Sequence, residues 1–70
     1  LEGADLSYAN LIGASLSGAN LQKANLRYAN MTAADLRGAD LTGANVEGAN
    51  FWNARGVNLE GTVGEPNRRP

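Results

Sequence analysis

Apolar residues recur along this chain at a fixed step of five. Alanine stands at Ala4 and at every fifth position to Ala54, and two places after each of the first ten comes a second apolar residue. That series runs Leu6, Leu11, Leu16, Leu21, Leu26, Met31, Leu36, Leu41, Val46 and Phe51, with Leu1 opening it. The position between alanine and leucine is nearly always Asn or Asp. On an α-helix a step of five turns successive positions by about 140° and leaves no apolar stripe. On a flat strand the odd step sends successive leucines to opposite faces, so neither face is dry.

A short extended segment fits better. Alanine and the leucine two places on share one face, and the Asn or Asp between them points the other way. If the chain bends over the next two residues, every alanine and leucine faces one interior and the chain becomes a coil with bends at a fixed interval. Gly3, Gly13, Gly18, Gly38, Gly43 and Gly48 mark those bends, each two places after an apolar residue. Main-chain groups left over by such short sides must pair between stacked coils.

The triplet Ala-Asn-Leu or Ala-Asp-Leu stands at Ala4-Asp5-Leu6, Ala9-Asn10-Leu11, Ala19-Asn20-Leu21, Ala24-Asn25-Leu26, Ala34-Asp35-Leu36 and Ala39-Asp40-Leu41. In these residues the chain resembles the pentapeptide-repeat family, whose members are frequent in bacteria and above all in cyanobacteria. The resemblance implies an all-β fold, a right-handed quadrilateral parallel β-helix with one pentapeptide per side and about three coils. The periodicity alone gives the inward-facing coil; four sides and the hand come from the resemblance. Residues 1–55 are then expected to form the β-helix and 56–63 an irregular last turn and C-terminal cap. Gly56 stands where a leucine is due, and Val57-Asn58-Leu59 restarts the pattern two residues early. Val57 or Leu59 is expected to turn inward there and seal the lower end. Residues 64–70, with Arg68 and Arg69, are expected to form an extended tail.

Stacking the coils places Tyr8 over Tyr28 and then Gly48, and puts Ile12, Thr32 and Trp52 in one exterior column. It also sets Arg27 beside Glu47 and Asp35 beside Arg55. Tyr8, Ile12, Tyr28 and Trp52 are the candidate partner-binding residues, because aromatic side chains on an outer face anchor interfaces. The plainer alternative is that the tyrosines only cover backbone and that Trp52 folds over the end of the core.

The 70 residues contain no histidine and no cysteine, which removes the usual bases, thiol nucleophiles and transition-metal ligands. Asp5, Asp35 and Asp40 all occupy the Asn position of the repeat, as scaffold variants of it. No catalytic, cofactor-binding or metal site is expected, and the chain is read as no enzyme. A net charge of −1 with interspersed signs gives no footprint for nucleic acid. Short apolar runs give this segment no membrane contact of its own.

The expected function is a non-catalytic structural or protein–protein interaction module, a fragment of a larger membrane-anchored or signalling protein. Leu1 begins mid-repeat, so further coils of its own chain, another protein, or a copy stacked end to end are the expected partners. The cytoplasm is the first expectation for location, a soluble domain of a membrane protein the second. The alternative function is a DNA mimic that inhibits or protects DNA gyrase, as acidic rods of this family do. Lys23, Arg27, Arg37 and Arg55 interrupt the negative surface that role needs.

Overall fold

A computed structural model describes residues 1–67 of the chain. The main chain passes over itself every twenty residues, through parallel β-bridges that pair Asp5 with Asn25, Asn10 with Asn30, Ser15 with Asp35 and Asn20 with Asp40. Asn25, Asn30 and Asp35 continue three of these columns to Asn45, Asn50 and Arg55. Four columns therefore stand before the chain returns, one per pentapeptide. Each bridge is tied by a donor on either flank: Asn25 N donates to Ala4 O at 2.8 Å, and Leu6 N to Asn25 O at 2.8 Å. No helix occurs among the described residues.

The bends are made by β-turns. Ala9 N donates to Leu6 O at 3.1 Å, Ala14 N to Leu11 O at 3.0 Å, and the same bond recurs along the repeat. The third residue of each turn has positive φ and the second does not, which is the type II form. Glycine fills many of these corners, but Tyr8, Lys23, Tyr28, Ala33 and Asn53 adopt φ of 59–61° there. A side chain in that region costs about 1–2 kcal/mol relative to glycine.

Alanine and leucine point into the shaft as the period requires. Leu21, Leu26, Met31, Leu36 and Val46 are fully buried, with Ala24, Ala29, Ala34, Ala44 and Ala49 between them. Each large side chain so buried contributes about 1.5–3 kcal/mol. Taking the N-terminal end as the top, the burial has a direction. Leu6, Leu11 and Leu16 are only partly covered and Leu1 is 60% exposed, because no coil among the described residues lies above them.

The lower end is closed by a coil that shortens. Arg55 still lies twenty residues below Asp35, but Asn45 meets Val63 at eighteen and Asn50 meets Asn67 at seventeen. The missing residues let Val57 and Leu59 both pack against the core from beneath. Residues 64–67 lie within the stretch expected as an extended tail, and here they are paired: Gly48 N donates to Glu65 O and Asn67 N to Ala49 O, both at 2.8 Å. Arg68 and Arg69 of the expected tail lie outside the described residues.

Candidate interaction surface

The outward Asn and Asp side chains are committed to their own turns. Asn20 Oδ1 accepts from Gln22 N at 3.0 Å, Asn45 Oδ1 from Glu47 N at 3.1 Å and Asn50 Oδ1 from Trp52 N at 2.9 Å. The carboxylates make the same bond and add to it. Asp40 Oδ1 takes Thr42 N at 3.0 Å and Thr42 Oγ at 2.7 Å, and Asp5 Oδ1 takes Ser7 in the same way. These bonds lower both carboxyl pKa values, with the hydroxyl hydrogen bond the largest cause. Asp35 goes further: Arg37 donates from Nε at 2.9 Å and from Nη2 at 2.7 Å, which brings the carboxyl down to about 2. Among the described residues no three acidic, histidine or cysteine side chains converge on a point.

The turn-capping role of the Asn position is not apparent from its spacing alone. The signal is chemical: Asn and Asp are the side chains that bond the main chain two residues on and so begin a turn.

Tyr8 and Tyr28 meet as expected. Their rings stack with centroids 5.3 Å apart and planes inclined by 18°. Below them the column ends on Gly48, where the Tyr28 ring fills the space a side chain would take: a Cβ on Gly48 would come within 2.4 Å of two ring carbons. Tyr8 is 76% exposed and Tyr28 51%. Ile12 and Trp52, 56% and 44% exposed, share a column on the next side, with Thr32 between them. Among the described residues no ring contact joins either to the tyrosines. Trp52 also borders a hollow of about 310 Å³ at the lower end, with Phe51, Val57, Leu59 and Pro66.

With Val63, these four make up the exposed large hydrophobic side chains among the described residues apart from Leu1. All lie on two adjoining sides, those lined inside by Leu26 and by Met31. The other two sides carry glycines and polar or charged residues, among them Glu2, Lys23, Arg37, Arg55 and Glu60.

Among the described residues neither expected ion pair between coils forms: Arg27 and Asp35 take partners on their own sides, and Glu47 takes a main-chain donor on the next coil. Arg27 Nε donates to Asn25 Oδ1, and Glu47 Oε1 accepts from Glu65 N at 3.0 Å. Asp35 forms its salt bridge with Arg37 on the same side, while Arg55 only adds to the field that keeps Asp35 ionised. A partner two residues away is already held in place, whereas a cross-coil partner must be ordered from solvent.

The family description "Pentapeptide repeats (8 copies)" matches residues 1–38, 14–53 and 34–62. Among solved structures, a pentapeptide repeat protein from the Arabidopsis thaliana thylakoid lumen is 32% identical with a TM-score of 0.54, over 94% of this chain and 48% of that one. QnrB1, a plasmid-mediated fluoroquinolone resistance protein, is 28% identical with a TM-score of 0.59, over 87% and 38%. Rfr23, a pentapeptide repeat protein from the cyanobacterium Cyanothece 51142, is 33% identical over 93% and 53%, with a TM-score of 0.46. The chain thus spans about half the length of these three solved structures, or less. No curated protein matches it significantly. With the repeat matched from residue 1 to residue 62 and its alanines and leucines seen lining one shaft, the chain belongs to the pentapeptide-repeat family, whose solved members are β-helix solenoids.

Proposed function

We propose that this chain is a non-catalytic interaction module: a right-handed, four-sided β-helix of about three coils that presents a flat, rigid exterior to another protein or to further coils of its own repeat. The observation that carries the reading is the placement of Tyr8, Ile12, Tyr28 and Trp52 on two adjoining sides, exposed and backed by a fixed main chain. Aromatic side chains on a rigid support lose little entropy on binding, which suits them as anchors. The polar positions are spent on turn caps, so binding is the use that remains for the exterior. The cytoplasm is the compartment proposed, and lumenal placement, as in the Arabidopsis relative, is the competing outcome of cell fractionation. Among the described residues no helix is long and apolar enough to cross a membrane.

Affinity capture with wild type against Trp52→Ala and against Tyr8→Ser with Tyr28→Ser tests the surface. Loss of a specific partner with the variants supports it, and equal recovery with all of them dismisses the aromatic corner.

A second reading rests on the likeness to QnrB1. In it the chain acts on DNA gyrase as a protector or inhibitor through DNA mimicry. Supercoiling assays with and without a quinolone separate the two: protection or inhibition at low micromolar chain would replace the first reading with the second.

A further inference from the structure

The shortening of the last coil leaves a gap in the ladder on one side. Leu36 N still donates to Arg55 O at 2.9 Å, and Gly43 N donates to Gly61 O at 2.8 Å. Between these, one coil higher, the ladder is complete: Gly18 N donates to Arg37 O, Asp40 N to Ala19 O and Leu21 N to Asp40 O. Their counterparts one coil down, Gly38 N, Ala39 O and Leu41 N, have no main-chain partner among the described residues. Asn58 N and Asn58 O, on the strand that passes beneath, have none either. The cause lies in the register. Gly43 meets Gly61 one residue short of the repeat, since Lys23 N bonds Thr42 O at a step of nineteen and Gly43 N bonds Gly61 O at eighteen. A one-residue slip sets inward side chains under outward ones, and a pleated bridge cannot form across that.

These groups border a hollow of about 390 Å³ that Gly38, Ala39, Asp40, Leu41, Asn58 and Glu60 help to line. Its charged lining residues are Asp40 and Glu60, and no cation lines it. Asp40 is kept ionised by Thr42, which occupies only its Oδ1. The nearby Arg37 guanidinium is turned away to Asp35.

We propose that this interrupted edge is a binding site for a short extended peptide carrying Lys or Arg, which adds a strand to Gly38–Leu41 and sets its cation against Asp40 and Glu60. Strand addition satisfies the open donors and acceptor, and the two carboxylates select for positive charge. The site lies away from the aromatic corner and does not depend on it.

The test is an NMR titration of the full chain with acetyl-Val-Arg-Val-amide, read at the amides of Gly38, Leu41 and Asn58. The expected result is saturable shifts at these three, with acetyl-Val-Glu-Val-amide and the Asp40→Asn/Glu60→Gln variant each weaker by about tenfold or more. A second variant inserts Leu-Thr between Arg55 and Gly56, which turns Ala54-Arg55-Leu-Thr-Gly56 into a regular repeat and lets Asn58 pair with Ala39 and Leu41. This variant is expected to lose the site while gaining stability, and Trp52→Ala is expected to bind like wild type. The assignment is overturned if the arginine peptide moves none of the three amides, or if the insertion variant binds it equally. Shifts at those amides that follow protein concentration alone would put a second copy in the gap and overturn it too.

Discussion

Gly48 decides how the tyrosine column ends. Its φ of +67° lies in the left-handed region, and the space a Cβ would take is already filled by the Tyr28 ring. Gly48→Ala must therefore both strain the corner and push the ring off the main chain, and is expected to cost about 1–3 kcal/mol by urea unfolding. Tyr28→Ala in the same background should recover most of the steric share, since it removes the ring that clashes. Ala33 is the opposite case. It sits exposed at φ +61°, with its N–H donated to Trp52 O at 2.8 Å. Ala33→Gly keeps that bond, relieves the corner and is expected to raise stability by about 0.5–1 kcal/mol. An unchanged midpoint would mean that the extra freedom of glycine in the unfolded chain offsets all of the relief.

At the scale of one pentapeptide, the inward pair and the outward cap are separate devices. The cap makes the turn sensitive to acid where it is a carboxylate. Asp35 titrates at about 2 when folded, below its ordinary 3.8. A lowered folded pKa favours the ionised form, so its contribution is complete above the ordinary carboxylate range and is lost as pH falls through about 2. Asp5 and Asp40 act in the same direction. The melting temperature is thus expected to fall between about pH 4 and pH 2, and the triple variant Asp5→Asn, Asp35→Asn, Asp40→Asn to flatten that fall, because an amide oxygen caps the same N–H without titrating. A fall as steep in the triple variant would place the acid sensitivity elsewhere. The inward pair is legible in the residue order because burial alone imposes it: Leu26, Met31 and Leu36 can share a shaft at period five only if the chain bends between them. The ion pairs were not legible, since Asp35 is met by Arg37 two residues away on its own side and not by Arg55 across the coil. The break at Gly56 announces itself through Val57-Asn58-Leu59. How the shortfall spreads over successive sides, eighteen at Val63 and seventeen at Asn67, depends on main-chain pairing that side-chain order does not encode.

For the molecule as a whole, the two ends differ in kind. The lower end draws Val57 and Leu59 under the core, while the upper end leaves Leu6, Leu11 and Leu16 half covered and the N–H groups of Asp5, Asn10, Ser15 and Asn20 without main-chain partners among the described residues. The middle is sealed from both directions: Asn30 N donates up to Ala9 O, and Met31 N donates down to Asn50 O. A solenoid of stacked units opens from its least covered end, so stability should fall in steps along the axis. Leu26→Ala, in the sealed layer, is expected to cost about 2–5 kcal/mol, and Leu6→Ala, directly above it, clearly less, because a half-covered site has lost less solvent to begin with. Hydrogen exchange gives the same gradient without mutation. The amides of Asn30, Met31 and Leu36 should exchange only through global unfolding, and those of Asn10 and Ser15 within the time of the first spectrum. If Asn10 is instead as well protected as Asn30 in a sample that sediments as more than one chain, a second copy covers the upper end, and the leucines at that end belong to an interface rather than to a frayed coil.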